Sequence, residues 1–461
     1  MMHALLAGLL LSSASPDYPA LLKALHIPGA QVAVVKNGAL VSNDMYGVKN
    51  LKNGTPVDAH TRFEIGSITK QFTAAAILQL RASGKLSLDD KLGKYVPEYK
   101  AGRNITLRQM LLQISGIPNY TDTKAFGTLI AQRNGSVTIG RPGNLQSVIA
   151  MIRQQKLDFA PGTKWEYSNS NYYLLGHVVE VASGMPWASY VESRIFKPAG
   201  MSESSFMENE AHVSDMATGY TIAKKGGLVP TGSFDGWAGG AGTIVSTSSD
   251  LAKWDLALLG GKIVSAEDRK LMMTGGPVPS GQNERYGFGW VIDTYDGQPR
   301  TWHNGGTLGF TASNQIYPGE NEIVIVLANS TAGNADTIAD QTFDGLHPDL
   351  AASKTKAVAG EDAAVTKRIQ TEWTQLTSGT IDRTQFTAEA NKAFTPDLLA
   401  SAKAAFAPLG APKSWVYRGK REVRGLTVYT YYVTFESGTS LNVTMTVDAE
   451  GKIAGYNAQP G

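Results

Sequence analysis

Residues Phe63–Phe72 read FEIGSITKQF, and Ser67 stands three residues before Lys70. At that spacing two side chains share one face of a helix, so the lysine amine can reach the serine hydroxyl. The partial positive charge and free N–H groups of a helix N-terminus suit a developing oxyanion. A lysine in a water-poor cleft loses its proton more easily and can then act as a general base. Ser67 is therefore a candidate nucleophile, and Lys70 is its candidate base.

The residues after Lys70 follow a helical pattern. Phe72, Ala76 and Leu80 recur at four-residue spacing, and Gly84 supplies a C-terminal stop. A Ser-x-x-Lys tetrapeptide is a weak signal, because it also occurs by chance in a chain of this length. Taken alone, it is better explained as an ordinary capped helix with a lysine in its first turn. Its chemical role therefore depends on the rest of the chain.

The composition is that of a globular protein with roughly two or three domains. Of its 461 residues, 42% are hydrophobic and 18% are charged. The net charge of +2 is too small to indicate a protein that binds nucleic acid. Cysteine is absent, and the seven histidines are scattered without a metal-binding spacing. We therefore expect no nucleic-acid partner, no bound metal and no cofactor.

The N-terminus reads MMHALLAGLLLSSAS, with an apolar run at residues 4–11 followed by small residues. This pattern predicts a secretory signal peptide over residues 1–15, cleaved near Ala14 or Ser15, and hence export to a bacterial periplasm or secretion. The alternative is a short apolar helix at the start of a cytosolic protein. No other stretch is long and apolar enough to span a membrane.

Helical and strand patterns alternate along residues 16–345. Asn37-Gly38, the preferred two-residue hairpin turn, separates predicted strands at 30–35 and 39–46. Further strands are predicted at 288–293, 300–303, 311–317 and 322–328. Helices are predicted at 107–113 after a Thr106 cap, at 171–182, and after a cap at Ser248 or Ser249.

The C-terminal part differs in pattern. Residues 346–365 are rich in Ala, Lys and Asp and are predicted to form a linker. Residues 366–461 carry helical patterns and then three or four strands, which predicts a small α+β domain. This domain contains no motif that indicates chemistry, and support of a homodimer is one role that would suit it.

Tyr167-Ser168-Asn169 lies after a Pro-Gly turn and just before a predicted helix. A phenol can pass a proton to a leaving group, and a carboxamide can hold both a lysine and a substrate amide. Tyr167 and Asn169 are therefore candidates for these two tasks. The alternative is a surface loop whose asparagine caps the next helix.

A third segment, His303-Asn304-Gly305-Gly306, lies at the edge of a predicted strand. Glycines allow a substrate to approach the backbone closely. A backbone N–H of this segment is a candidate to form an oxyanion hole together with the N–H of Ser67. The alternative for His303 is a strand-end histidine with a satisfied hydrogen bond.

The stretch Gly239–Thr243 is glycine-rich but lacks the full Gly-x-Gly-x-x-Gly pattern, because Val245 replaces the last glycine. No strand clearly leads into it. We therefore exclude a dinucleotide site and interpret the stretch as a packing loop.

The ordered set of segments resembles the serine β-lactamase and penicillin-binding-protein superfamily, in particular its class C-like branch. The resemblance covers about residues 20–345 and includes Leu111–Pro118 and Gly239–Asp250 as secondary matches. It implies an α/β (α+β) fold of the serine β-lactamase/transpeptidase type. In that fold an antiparallel sheet is flanked by helices, with an inserted helical lobe.

The resemblance also implies a role for each matched residue. Ser67 would be the acylated nucleophile, Lys70 its base and Tyr167 the proton shuttle. Asn169 would orient the substrate and Lys70, and Gly306 would add its N–H to that of Ser67 in the oxyanion hole. The remaining substrate-binding residues would be His303, Asn304 and Gly305.

One departure from the family pattern bears on the substrate. β-Lactamases carry Lys-Thr-Gly where this chain has His303-Asn304-Gly305, and a histidine is mostly neutral near pH 7. We therefore place a D-amino-acid peptidase or amidase, or an esterase, before a β-lactamase or penicillin-binding DD-peptidase. The substrate would be a small molecule or short peptide. A non-catalytic protein that binds muropeptides or a partner on the same fold is the alternative of another class.

Overall fold

The computed structural model describes residues 16–133, 136–139, 144–207, 213–232, 236–276, 286–423, 425–437 and 440–460. These residues divide into two compact units between Phe343 and Asp344. The predicted signal peptide, residues 1–15, lies outside the described residues. None of the described helices has both the length and the apolar character that a membrane crossing requires.

The strands are numbered in chain order. They are β1 (Gly29–Lys36), β2 (Ala39–Asn50), β3 (Thr55–Pro56), β4 (Phe63–Glu64), β5 (Ile130–Arg133), β6 (Ser136–Ile139), β7 (Ser205–Phe206), β8 (Tyr220–Ile222), β9 (Leu228–Pro230), β10 (Ile244–Ser246), β11 (Val291–Tyr295), β12 (Gln298–Gly306), β13 (Thr311–Tyr317), β14 (Glu322–Ala328), β15 (Pro412–Val423), β16 (Leu426–Phe435), β17 (Ser440–Val447) and β18 (Ile453–Pro460).

The main sheet of the first unit has seven antiparallel strands in the order β11-β12-β13-β14-β1-β2-β3. The N-terminal hairpin therefore joins the strands that end the unit, and Ala30 lies opposite Ala328. β14 is buried along its whole length, and β1 along all but its last residue. Such continuous apolar strands belong at the centre of a sheet that is covered on both faces.

The helices are also numbered in chain order. They are α1 (Tyr18–Ala24), α2 (Thr69–Ala82), α3 (Leu107–Leu111), α4 (Lys124–Leu129), α5 (Leu145–Ile152), α6 (Asn169–Ser183), α7 (Trp187–Val191), α8 (Lys197–Ala199), α9 (Ser248–Leu259), α10 (Ala266–Met272), α11 (Ala335–Leu346), α12 (Pro348–Lys354), α13 (Ala363–Ser378), α14 (Ala388–Ala393) and α15 (Pro396–Phe406).

The helices between β3 and β11 form the inserted lobe, and α2 lies at its core. Phe72, Ala76 and Leu80, which predicted this helix, are all buried. They belong to one hydrophobic cluster shared by the lobe and the sheet. The fold is therefore the predicted β-lactamase/transpeptidase-like arrangement of an antiparallel sheet with a helical lobe.

Several predicted boundaries were wrong, and the helix predicted at 171–182, for example, begins at Asn169. The N-cap of α9 is Thr247, whose hydroxyl accepts from Asp250 N–H, whereas the N–H of Ser248 donates to Gln31. The strand predicted at 288–293 begins only at Val291, because a turn at Gly287–Trp290 precedes it. The strand predicted at 300–303 extends over Gln298–Gly306, so His303 and Gly306 both lie within β12.

The second unit contains α12–α15 and an antiparallel sheet in the order β15-β16-β17-β18. Ile369 and Trp373 of α13 pack with Tyr431 and Val433 of β16 in a separate hydrophobic core. The predicted linker, residues 346–365, includes α12, which begins at Pro348. Proline at the first helical position favours such a start.

Candidate active site

Ser67 lies in a short 3-10 turn, Gly66–Ile68, that leads directly into α2. Gly66 has a φ angle of 49°, in the left-handed region that favours glycine. A Cβ atom on Gly66 would lie 2.7 Å from the backbone nitrogen of Gly306. The turn that carries the serine and the end of β12 therefore meet at backbone contact distance, which only glycine permits.

The Lys70 side chain is fully buried and makes three short polar contacts. Its Nζ lies 2.9 Å from Ser67 Oγ, 2.8 Å from Asn169 Oδ1 and 2.7 Å from the Ala241 carbonyl oxygen. Burial lowers the pKa of Lys70 well below its usual value. No carboxylate is among these contacts to compensate the charge, so the site favours the neutral amine.

These contacts fix the direction in which the Lys70 lone pair points. A neutral amine has two N–H donors and one lone pair, whereas amide oxygens can only accept. The oxygens of Asn169 and Ala241 take the two donors, which leaves the lone pair for the hydroxyl proton of Ser67. Lys70 is therefore arranged as the base for Ser67.

Tyr167 contacts the same serine oxygen from another side. Its hydroxyl donates to Ser67 Oγ at 2.8 Å, and its ring centroid lies 4.9 Å from Lys70 Nζ. Burial raises the pKa of Tyr167, and this effect exceeds the lowering by the Ser67 hydrogen bond. Tyr167 is therefore a neutral phenol and can supply a proton.

Asn169 begins α6, so a helix start positions its carboxamide. Its backbone N–H donates to Asn119 Oδ1 at 3.0 Å, and its Nδ2 donates to Thr121 Oγ1 at 3.4 Å. Its Oδ1 accepts from Lys70. The structure therefore brings the Ser67–Lys70 pair together with Tyr167 and Asn169, although the two pairs lie far apart in the sequence.

The four residues of the third predicted segment, 303–306, have different surroundings in the structure. His303 is only 2% exposed, and its ring contacts Tyr286 OH through Nε2 at 3.0 Å and the Asn304 carbonyl through Nδ1 at 2.5 Å. The Asn304 side chain donates to Asp336 at 3.0 Å. Gly305 is buried against Ile65. Of this segment, only Gly306 is a described residue of the cleft around Ser67.

That cleft has a volume of about 70 Å³. Its described lining residues are Ser67, Tyr120, Thr121, Asn169, Ala238, Ala241, Gly242, Gly306 and Thr307. None of these side chains carries a charge. In the part of the chain that the structure describes, no group of three or more His, Cys, Asp or Glu side chains is arranged to bind a metal.

Two residues of the site were not predicted from the sequence. Ala241 lies in the glycine-rich stretch interpreted as a packing loop, and it acts through its carbonyl group, which no side-chain pattern reveals. Tyr286 precedes the Gly287–Trp290 turn and contacts His303. Alternation along a longer β12 would have predicted that His303 points inward, but it would not have identified its partner.

A family model described as Beta-lactamase matches residues 18–347. The chain belongs to the beta-lactamase family. Members of this family are serine hydrolases, and the segments at Ser67, Tyr167 and His303 all fall within the matched residues. The resemblance inferred from the sequence is thereby confirmed.

Curated relatives of this beta-lactamase family chain match about two thirds of its length. Protein flp of Staphylococcus aureus (strain MRSA252) is 30% identical over 314 residues, which are 66% of this chain and 60% of that protein. Putative penicillin-binding protein PbpX of Bacillus subtilis (strain 168) is 31% identical over 297 residues, 64% of this chain and 69% of that protein. The match thus spans about three fifths of protein flp.

Two solved structures are similar to this chain. A D-stereospecific amidohydrolase from Streptomyces sp. is 26% identical with a TM-score of 0.61, and the match covers 72% of this chain and 99% of that one. The octameric penicillin-binding protein homologue from Pyrococcus abyssi is 22% identical with a TM-score of 0.62 and covers 95% of this chain and 97% of that one. At that identity the second likeness shows the fold alone.

Proposed function

We propose that the protein hydrolyses small amides, short peptides or esters through an acyl-enzyme on Ser67, with D-amino-acid amides and peptides as the first substrate class. The contact of the buried Lys70 amine with Ser67 Oγ at 2.9 Å carries this proposal, since the lone pair faces the serine proton. Simple binding of a ligand does not require a buried lysine amine that contacts a serine hydroxyl and has no carboxylate among its contacts.

In acylation, Ser67 Oγ attacks the substrate carbonyl while Lys70 takes its proton. The backbone N–H groups of Ser67 and Gly306 donate hydrogen bonds to the carbonyl oxygen and stabilise the negative charge that develops on it. Tyr167 donates its hydroxyl proton to the leaving nitrogen or oxygen as the bond to the acyl carbon breaks. The proton held by Lys70 then passes to the phenolate, which restores both groups.

Deacylation reverses these roles with water as the nucleophile. Lys70, neutral again after acylation, is the base that takes a proton from a water beside the ester, directly or through the Tyr167 hydroxyl, and this proton returns to Ser67 Oγ as the ester bond breaks. Each acid-base or oxyanion contribution typically accelerates the reaction by roughly 10²–10⁴-fold.

Two observations support an uncharged group on the leaving side of the substrate. The described residues of the cleft provide no charged side chain. His303 is buried against Tyr286, so it does not replace the lysine cation that meets the substrate carboxylate in β-lactamases. The name of the Streptomyces relative, a D-stereospecific amidohydrolase, supports the amide class and the D configuration.

Penicillin binding is the second candidate, because PbpX is named a putative penicillin-binding protein. Intact mass measured against time after addition of a penicillin distinguishes the candidates, with Ser67→Ala as the variant and Ser83→Ala, at the other end of α2, as the matched control. A lasting adduct indicates a penicillin-binding peptidase, and an adduct that clears quickly indicates a β-lactamase.

The proposed function itself is tested with D- and L-amino-acid amides and short-chain esters. We expect hydrolysis of the D-amides, with activity lost in Ser67→Ala and retained in Ser83→Ala. Activity that persists unchanged in Ser67→Ala would show that the nucleophile is wrong. An L preference would leave the serine mechanism intact and remove the D-amino-acid assignment.

We also propose that the chain is exported, on the basis of the apolar run at residues 4–11 followed by small residues. Cell fractionation together with N-terminal sequencing of the mature protein tests this. Cleavage near Ala14 or Ser15 is the expected result, and an intact N-terminus in the cytosol would contradict the proposal.

A further inference from the structure

Tyr286 lies beside the proposed catalytic residues but touches none of the reacting atoms. Its hydroxyl lies 3.0 Å from His303 Nε2, and both residues are nearly inaccessible to solvent. Its ring is perpendicular to that of Tyr167, with centroids 6.1 Å apart, and the ring of His303 lies 6.0 Å from the same Tyr167 ring. Tyr286 and His303 thus form one wall against the phenol of the proton shuttle.

The hydrogen bonds determine which nitrogen of His303 carries the proton. Nδ1 lies 2.5 Å from the Asn304 carbonyl oxygen, and a carbonyl only accepts, so Nδ1 is protonated. In a neutral imidazole Nε2 is then an acceptor, and Tyr286 O–H donates to it. A proton on Nε2 would require this hydrogen bond to reverse.

The surroundings favour the neutral ring. Burial and, to a smaller extent, a charge on Lys70 lower the pKa of His303 to about 3, although the hydrogen bond to the Asn304 carbonyl raises it. The titratable groups around the Tyr286–His303 pair are Lys70, Tyr167 and Tyr172. No carboxylate appears among these groups, so no described neighbour would balance an imidazolium.

We infer that Tyr286 is a positioning residue. Its hydroxyl holds His303 in the Nδ1–H form, and the two rings together hold the Tyr167 phenol against Ser67 Oγ. The inference rests on the proposed function, in which Tyr167 delivers a proton to the leaving group. It assigns His303 to the support of Tyr167 rather than to a charged contact with the substrate.

The test is Tyr286→Phe, which keeps the ring and removes only the hydroxyl. We expect kcat for a D-amino-acid amide to fall by roughly tenfold to a hundredfold with KM nearly unchanged, because Tyr167 is less well held. The pH profile of kcat/KM should also gain an ionisation between about pH 3 and 6.5, where the freed His303 titrates. A kcat and profile that match wild type would overturn the inference.

Tyr317→Phe is the matched control, since Tyr317 is a buried tyrosine whose hydroxyl donates to Gln315 Oε1 at 2.5 Å away from this wall. It should leave the pH profile unchanged. If Tyr286→Phe does not fold, His303→Asn removes the other half of the wall. It should lower kcat with KM retained, and a variant with wild-type kcat would equally overturn the inference.

A second readout does not depend on activity. In nitrogen NMR of the imidazole rings, with His303→Asn identifying the His303 signals, wild type should show the Nδ1–H tautomer and no titration down to about pH 5. In Tyr286→Phe the same ring should titrate at higher pH. An Nε2–H tautomer in wild type, or identical titration in both proteins, would contradict the inference. If no substrate is hydrolysed, the proposed function fails while this readout still tests the pair.

Discussion

A Cβ atom added to Gly305 would lie 1.9 Å from the carbonyl oxygen of Ile65, closer than any real side chain approaches a backbone atom. This contact joins β12 to the residues that lead into the Ser67 turn. The backbone on both sides is constrained, by the sheet on one and by the start of α2 on the other. Glycine at 305 is therefore required for the strand and the candidate nucleophile to lie side by side.

Gly305→Ala should separate β12 from the Ser67 turn. We expect the variant to lose more than about 2 kcal/mol of unfolding free energy and most of its hydrolytic activity, because the overlap involves backbone atoms. Gly306→Ala is the matched control, since a Cβ there meets no atom within 4 Å. Urea unfolding of both variants checks this, and equal stabilities would contradict it.

Lys70→Met should remove activity and change how stability depends on pH. The pKa of Lys70 is lowered in the folded protein, so the unfolded chain binds the extra proton between that lowered pKa and about 10.5. Wild type should therefore gain stability relative to Lys70→Met as pH rises through this window. Activity should fall by roughly 10²–10⁴-fold with loss of the base.

Unfolding free energies of both proteins at several pH values, with kcat/KM measured alongside, check this prediction. Wild-type activity should rise with pH through the Lys70 pKa, because only the neutral amine accepts the serine proton. A difference in stability between wild type and Lys70→Met that does not vary with pH would show that Lys70 stays charged in the folded protein.

Asp255 of α9 is fully buried, and Asn314 Nδ2 donates to its Oδ1 at 3.0 Å. Burial raises the pKa of Asp255 to about 8, although the hydrogen bond from Asn314 lowers it. The folded protein therefore holds a proton that the unfolded chain loses above about pH 4, and stability falls as pH rises towards 8. Asp255→Asn should remove this loss.

We expect Asp255→Asn to be more stable than wild type at pH 9 and to lose that advantage at pH 5. Thermal unfolding at the two pH values measures the difference. Asp349→Asn, which changes the first turn of α12 in the second unit, is a control that should show no such advantage at pH 9. If the advantage is equally large at both pH values, the titration of Asp255 does not cause it.

The sequence predicted those parts of the site that depend on short spacings. Ser67 and Lys70 share a helix start, and Tyr167 lies four residues before the helix predicted at 171–182, so local patterns were enough to nominate them. The central strands were also predictable, because the Asn37-Gly38 turn follows β1 and because β14 is apolar after Glu322. What these residues do chemically remains a proposal that the experiments above test.

The contacts that depend on tertiary packing were beyond the sequence. The Ala241 carbonyl reaches Lys70 because the glycine-rich loop packs against α2, and backbone groups leave no side-chain pattern. The partner of His303 is Tyr286, which lies just before the Gly287–Trp290 turn and two residues before the strand predicted at 288–293. Neither contact follows from spacing, since each depends on how the lobe folds onto the sheet.

Arg300 lies in β12, the strand that also contains His303 and Gly306, and its side chain forms buried ion pairs. Its guanidinium donates to both oxygens of Asp293, at 2.9 and 3.0 Å, and to Asp340 Oδ1 at 3.0 Å, with only 9% of the side chain exposed. Arg300→Leu would leave two carboxylates in a poorly hydrated environment without their cation. We expect a loss of about 3–5 kcal/mol of unfolding free energy.

Arg300→Lys keeps the charge but loses the two-pronged geometry, so its loss should be intermediate. Lys94→Ala is the control, because it breaks an exposed pair with Asp90 and should cost far less stability than either change at Arg300. Urea unfolding of the three variants orders these effects. If Arg300→Leu lies within about 1 kcal/mol of wild type, the carboxylates find other partners, and β12 does not depend on Arg300 for its place beside Ser67.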